Sequence, residues 1–340
     1  MKIDRFKLEL NDELINEIIT NLKSNELVYG SSLSELKTNL EQTFKGYHCI
    51  LTSTGFSSIF LILKGLNIQN KKILVPCSSS CFAFVNAILA SNNIPVFGNI
   101  EENSFNLDLQ NNSNLEYDHI IYPNHYGITR KDKNQEIFIE DCAQSFFSST
   151  SVGSNSRFKI LSFYLTKGIN GIDGGVILCK NKSDYDILKN LVSYNDQFEY
   201  NDIPRFNLKM NNINASVALH NIKKMKFKKA RLEFITAYYE EVIARSSVLS
   251  SFNEEKQEGD VLEKFIIRVP KKEIKEVLNF FKENGVSLTK EYLNISNKDS
   301  ICFNNLDLNL ETHFSIPYYP SLTEEELKHI ASVINKYDER

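Results

Sequence analysis

The segment Ser162-Phe163-Tyr164-Leu165-Thr166-Lys167-Gly168 sets a hydroxyl and a primary amine five residues apart after an apolar run. A second pairing precedes it: Asp141 follows the run Glu136 to Glu140, and Gln144 stands three residues further on. Nearer the start, Ser53-Thr54-Gly55 joins a strand-like run to an apolar helical one. Each feature has an ordinary reading, since a lysine after a strand is commonly a solvated surface residue and Gly55 can be a plain turn. Together they form a chemical inventory. An amine can hold an aldehyde as a Schiff base, a carboxylate can keep a ring nitrogen protonated, and amides with hydroxyls can hold a phosphate. Pyridoxal phosphate chemistry requires these three.

Such residues need a scaffold that presents strand ends. Phe158 to Tyr164 reads as a buried strand, and Gly168, Gly171, Gly174 and Gly175 form a turn region before a second apolar run, Val176 to Cys179. Upstream, a helical lead-in from Asn11 to Ser24 is followed by a helix from Ser31, marked by Leu33, Leu36, Leu40 and Phe44 and stopped at Lys45-Gly46. Tyr47 to Thr52 is a strand and Ser57 to Leu66 a helix. Gly55 therefore stands where free amides and the positive end of a helix dipole make an anion site. Ile73 to Pro76, Pro95 to Ile100, His119 to Pro123 and Glu136 to Glu140 read as further strands, with a helix from Ala83 to Ser91. This alternation predicts an α/β fold with a largely parallel sheet covered on both faces. Ligands bind such sheets at the carboxyl ends of the strands. Asp141 and Lys167 both fall just after a strand and so face one crevice.

Past Asn181 the chain turns polar and helical, with helices over Ile213 to Ile222 and Lys226 to Arg245 and a loop over Asn253 to Asp260. A small α+β unit follows: strand Lys264 to Val269, helix Lys272 to Asn284, strand Thr312 to Ile316, and a last helix opened by the capping-box spacing of Thr323 and Glu326. The expected division is a large domain of residues 1–225, including the helical lead-in, and a small domain of residues 226–340.

A chain of 340 residues with 42% hydrophobic content can bury a large core. Its net charge of -4 gives no basic balance to draw nucleic acid. The cluster Lys223, Lys224, Lys226, Lys228, Lys229 and Arg231 runs into a helical pattern that soon turns acidic and reads as a solvated helix face. The charged N-terminal stretch lacks a secretory pattern, and the most apolar window, Cys81 to Ala90, is short for a membrane span and interrupted by Asn86. A cytoplasmic protein with no membrane contact is expected. Six cysteines in such a chain read as reduced thiols. Cys77 and Cys81 lack the partners of a zinc site, and Cys142 reads as a small buried filler.

Glu140-Asp141-Cys142-Ala143-Gln144-Ser145 followed by Ser162 to Lys167 resembles the DegT/DnrJ family of pyridoxal-phosphate-dependent sugar aminotransferases. Tyr122-Pro123-Asn124-His125-Tyr126-Gly127, Pro95-Val96-Phe97, Phe206-Asn207-Leu208-Lys209-Met210-Asn211 and Ser315-Ile316-Pro317-Tyr318-Tyr319-Pro320 agree in the family's order, so the resemblance covers about residues 28 to 335. It implies the aspartate-aminotransferase-like fold (fold type I). It also implies Lys167 as the internal-aldimine lysine and proton shuttle, Asp141 on the pyridinium nitrogen, Gln144 on the ring 3-hydroxyl, and Ser162 on the phosphate. Gly55 and the amides of Phe56 and Ser57 would complete the phosphate cradle. Asn207 would reach the phosphate of the other subunit, which implies a homodimer with shared sites. Glutamate as amino donor, a nucleotide-linked keto-sugar as acceptor, and a place in amino-sugar and polysaccharide biosynthesis come from the same resemblance.

The chain also departs from the family pattern. Phe56 replaces a usual threonine, leaving Thr54 or Ser57 to supply its hydroxyl. Cys77 to Phe82 is one residue longer than usual, so either Phe82 or Cys81 is the ring-covering residue. Asn99 stands where an acid is common, and Thr289 to Ile301 lacks the usual aromatic and histidine pattern. His125 is assigned equally to packing and to catalysis. A lysine at 167 argues against the family's dehydratase-like branch, which uses histidine there. A non-sugar cyclic ketone as acceptor, or a catalytically silent cofactor-binding protein, are the competing readings.

Overall fold

Two β-sheets, linked by helices, divide the chain. The computed structural model describes residues 1–7, 11–78, 82–101, 104–132, 135–148, 155–194, 204–251, 256–269, 274–290 and 313–339. The large sheet holds β1 (His48–Thr52), β2 (Lys72–Pro76), β3 (Ile94–Gly98), β4 (His119–Pro123), β5 (Ile137–Asp141), β6 (Ser156–Ser162) and β7 (Gly175–Cys179), in the order β1-β7-β6-β5-β4-β2-β3. β3, β2, β4, β5 and β6 are parallel to their neighbours, while β7 pairs antiparallel with both β6 and β1. The reversal has a local cause: the turn between β6 and β7 carries no crossover helix, so the chain returns alongside β6 in the opposite sense. Because β1 is antiparallel to β7, it runs the same way as β6. The carboxyl ends of β1, β4, β5 and β6 therefore share one edge.

Helices cover both faces. α1 (Asp12–Lys23) and α2 (Ser31–Thr43) lie on one side with α6 (Asn212–Lys223), while α3 (Gly55–Gly65), α4 (Ala83–Ala90) and α5 (Lys182–Lys189) cover the other. Ile73, Val75, Ile121, Ile139 and Ile177 pack under α3, whereas Leu161, Phe163, Val176 and Leu178 face the opposite layer. Sequence runs buried on both faces are continuous in apolar residues, which is why these strands are legible in the sequence.

α7 (Met225–Ile243) leads to the second sheet, with β8 (Ser250–Ser251), β9 (Phe265–Arg268), β10 (Thr289–Lys290) and β11 (His313–Ile316) in the antiparallel order β10-β11-β9-β8. α8 (Ile274–Glu283) and α9 (Glu324–Asp338) pack with it, and α9 opens with the full Thr323/Glu326 capping box. β8 and β10, two residues long, carry no readable period. The start of the chain also belongs here. Ile3 N–H donates to Gly285 O at 2.7 Å and Ile3 O accepts from Ser287 N–H at 3.1 Å, so residues 1–7 run beside the small unit and not with the large sheet. No described helix is long and apolar enough to cross a membrane. The described cysteines, Cys49, Cys77, Cys142 and Cys179, are buried free thiols.

Candidate active site

Four strand ends open on one cavity of about 600 Å³. β4 delivers Asn124 and His125, β5 delivers Asp141 and, just beyond, Gln144, and β6 ends in Ser162 with Lys167 in the turn after it. β1 leads through Thr54 into Gly55 and Phe56, the first residues of α3. Of the residues singled out from the sequence, Lys167, Asp141, Gln144, Ser162, Gly55 and Phe56 thus meet around one space. Asp141 is the last residue of β5 and does not follow it.

Three others are placed differently. Ser57 is buried behind the cavity: its N–H donates to Thr54 Oγ1 at 3.0 Å, and its hydroxyl lies 2.8 Å from that oxygen and 2.9 Å from Ser53 Oγ. Thr54 is the N-cap of α3 and lines the cavity, so of the two hydroxyls available in place of the missing threonine, it is the one within reach. Phe82 caps α4, is 48% exposed and does not line the cavity; Ala83 and Phe84 do. Cys81 and most of Thr289 to Ile301 lie outside the described residues. Asn207 is exposed, accepts from Lys209 Nζ at 2.6 Å and lies outside its own chain's cavity, although Leu208 O holds Ser53 N–H at 2.7 Å close by.

The Lys167 turn is internally fastened. Lys167 N–H donates to Tyr164 O at 2.9 Å, Gly171 N–H to Phe163 O at 2.8 Å, and Phe163 N–H to Gly174 O at 2.9 Å. Within it Ile172 holds φ at 70°, a left-handed conformation that is strained for a β-branched residue and persists only where the surroundings enforce it. Asp173, next along, lines the cavity.

The electrostatics centre on Lys167. Burial raises the Asp141 carboxyl to about 6, against the opposing pull of the Lys167 ammonium and of Ala143 N–H, which donates to its Oδ1 at 2.8 Å. Asp141 is thus ionised at neutral pH. Burial, with Lys167 and Lys264 nearby, lowers His125 to about 3, so the imidazole is neutral. Its backbone N–H is held by Asn106 Oδ1 at 2.8 Å. Gln144 Oε1 accepts Tyr126 N–H at 3.2 Å, which leaves its amide NH₂ as the group offered to the cavity.

These groups fit pyridoxal phosphate. A helix start with a capping hydroxyl suits the phosphate. A Cβ at Gly55 would stand 3.3 Å from Ser162 Cβ, so that start and the serine form one wall. The anionic Asp141 suits a protonated ring nitrogen, the Gln144 amide a ring hydroxyl, and Lys167 an aldehyde.

Sequence reasoning misses a second chamber of about 180 Å³ that shares Lys167, Tyr164 and Thr166 with the first. Arg5, Lys7, Lys228 and Lys264 line it, with Glu263 as its only carboxylate among the described residues. The charge pattern places Lys228 on a solvated face, yet it is 3% exposed. Nothing in the local pattern brings the chain's start, α7 and the approach to β9 together; only the tertiary fold does.

The sequence profile of the DegT/DnrJ/EryC1/StrS aminotransferase family matches residues 9–115 and 130–335. An uncharacterized protein of Methanocaldococcus jannaschii, MJ1066, is 23% identical over 97% of this chain and 96% of its own length. GDP-perosamine synthase of Vibrio cholerae is 23% identical over 63% of this chain and 63% of its own. Among solved structures, the Helicobacter pylori aminotransferase PseC, involved in pseudoaminic acid biosynthesis, superposes over 100% of both chains with a TM-score of 0.87 at 17% identity. That likeness carries the fold, the profile match carries the family, and the cavity around Lys167 accepts the family's cofactor. This chain belongs to the DegT/DnrJ/EryC1/StrS aminotransferase family and is a pyridoxal-phosphate-dependent aminotransferase.

Proposed function

We propose that the chain moves an amino group from glutamate to the ketone of a nucleotide-linked sugar, working as a cytoplasmic homodimer whose subunits share sites through Asn207. The observation that carries this reading is the position of Lys167, which lines both chambers. One is large enough for the cofactor with part of a substrate, within the usual range of ligand pockets. The other is small and bordered by four cationic side chains besides Lys167, which favours anionic reactants. The named activities of GDP-perosamine synthase and PseC support a sugar acceptor.

Pyridoxal phosphate, when bound, supplies an aldehyde that condenses with amines and a ring that accepts an electron pair. The protein supplies the rest. Asp141, ionised at neutral pH, holds a proton at the ring nitrogen. Lys167 would be the amine that holds the cofactor's aldehyde and the base that moves a proton at the donor carbon. Neutral His125 adds packing without adding charge at the cofactor.

The test is an absorbance titration of the cofactor-loaded protein with glutamate, aspartate and alanine, followed by acceptor panels of nucleotide-linked keto-sugars and keto-cyclitols. Conversion by glutamate and turnover of a keto-sugar nucleotide are expected. Turnover of cyclitols alone reassigns the acceptor, and failure of every donor to convert the chromophore leaves a silent binding protein.

A further inference from the structure

Glu263 sits just before β9, in the small unit, yet its contacts are with the large one. Its N–H donates to Tyr126 O at 2.9 Å, which fixes it beside the turn after β4. Its carboxylate is divided between two further loops. Oε1 accepts Phe146 N–H at 3.1 Å, and Oε2 accepts Gly168 N–H at 3.3 Å. Phe146 lies two residues past Gln144 in the loop that follows Asp141, and Gly168 follows Lys167. One residue thus ties together the loops after β4, β5 and β6, the last two through its carboxylate. The fit is close: a Cβ at Gly168 would stand 2.4 Å from a Phe147 ring carbon and 3.3 Å from Glu263 Oε2. The carboxylate lines the small chamber together with Lys167.

We propose that Glu263 is a positioning residue for Lys167: its carboxylate anchors the turn that carries the amine and supplies, from the small unit, negative charge that keeps that amine protonated in the cofactor-free protein. Asp141 supplies the matching charge from the cavity side. Burial raises the Glu263 carboxyl, while Lys167, the two amides and Lys264 pull it down. Arg5, Lys7 and Lys228 share its chamber, as does Tyr318, whose hydroxyl burial holds well above its ordinary range. Lys167 thus interacts with two carboxyl groups, Asp141 at the end of β5 and Glu263 just before β9.

The inference rests on Lys167 being the cofactor-bearing amine, but its test uses neither cofactor nor substrate, so failure of the proposed donor or acceptor does not touch it. Lys167 in cofactor-free protein is labelled by reductive methylation across a pH series and read by peptide mass spectrometry, with exposed Lys182 as the reference in each sample. Glu263→Gln is expected to shift the Lys167 profile to lower pH and speed its labelling at neutral pH by up to about tenfold, the equivalent of one pKa unit. Glu263→Asp, which keeps the charge, is expected to lie close to wild type. A Glu263→Gln profile that superimposes on wild type, or a Glu263→Asp profile that follows Glu263→Gln, overturns the proposal. If Glu263→Gln does not fold, amide exchange in the wild-type protein decides: Phe146 and Gly168 are expected to share one protection factor that falls for both as the carboxyl is protonated. Unrelated protection at the two amides overturns the anchor.

Discussion

Glu140 and Asp141 are adjacent on β5, point to opposite faces of the same sheet, and have met opposite fates. Glu140 is fully buried and saturated. Asn124 Nδ2 donates to its Oε1 at 2.9 Å, Lys159 Nζ to its Oε2 at 2.8 Å, Ser156 Oγ donates to the same oxygen, and Arg130 lies 4.0 Å away. The Asp141 carboxylate accepts one described hydrogen bond, from Ala143, and otherwise faces a cavity and the field of Lys167. The first carboxylate is completed by the chain, while the second is left for a ligand to complete. Burial alone therefore does not mark a ligand-binding carboxylate; burial with an unfinished set of partners beside a cavity is the stronger sign. Asn124 joins the two environments, since it bonds Glu140 and also lines the cavity.

The sharpest way to break this contrast is to remove the lysine from each side. Lys167→Met is expected to lower transamination by on the order of a thousandfold or more, about 4 kcal/mol of barrier, and to abolish the borohydride-stable cofactor adduct at that residue. Its effect on the urea midpoint should be small. Lys159→Met deprives the buried Glu140 carboxylate of its 2.8 Å partner. It is expected to cost about 3–5 kcal/mol of folding stability, and the pair Glu140→Gln with Lys159→Met to recover most of that loss. Denaturation of the cofactor-free proteins checks both. A stable Lys159→Met with lost activity would place that network in the chemistry.

The second test uses pH. Asp141 rises from its ordinary 3.8 to about 6 in the fold, so between those values the native state binds more protons than the unfolded one. Stability from this group therefore declines as pH rises through that window, by about 3 kcal/mol at most. His125 works the other way: its folded value of about 3 lies below its ordinary 6.5, so the unfolded state takes up the proton first and stability falls on acidification below about 6.5. The two slopes partly cancel near pH 5. Asp141→Asn is expected to raise the melting temperature of cofactor-free protein at pH 7, to lower activity on the order of a hundredfold, and to expose the uncompensated acid sensitivity of His125. Melting curves between about pH 4 and pH 7 check it. An unchanged pH slope would mean that Asp141 is not held up by burial.

How readable each feature is in the sequence follows from how local its signal is. The strands of the large sheet are buried on both faces and stand out as apolar runs, and the spacing of Thr323 and Glu326 alone marks the start of α9. Lys167, Asp141, Gln144, Ser162 and Gly55 are legible as neighbours around one cavity because each lies at a strand end, in the turn just after one, or at a helix start. β8 and β10 are not, being too short to have a period. Glu263 and the cationic chamber are invisible because their neighbours are far away in sequence: Glu263 holds amides 95 and 117 positions away. Position beside a motif predicts Ser57 and Phe82 at the cofactor. In the structure, capping by Thr54 turns the first inward, and the start of α4 leaves the second outside the cavity while Phe84 lines it.

The smallest expected effect concerns Phe56, at the helix start that would hold the phosphate. Phe56 lines that wall and stacks on Phe60 with ring centroids 6.1 Å apart and planes 11° from parallel, and Phe60 in turn meets Phe206 edge-on at 5.4 Å. The aromatic series runs from α3 to the stretch that holds Asn207. Phe56→Thr would supply a hydroxyl at the helix start and remove the stacking partner. If Thr54 already serves the phosphate, the added hydroxyl gains at most one hydrogen bond, about 1 kcal/mol or roughly fivefold in cofactor affinity. Loss of the ring contact costs about as much. Near-neutral cofactor binding is therefore expected, measured by fluorescence titration. A gain of a hundredfold or so would mean instead that the wild-type cradle is incomplete without the threonine, and that the contrast between a saturated structural side and an open ligand side extends to the phosphate as well as to the ring.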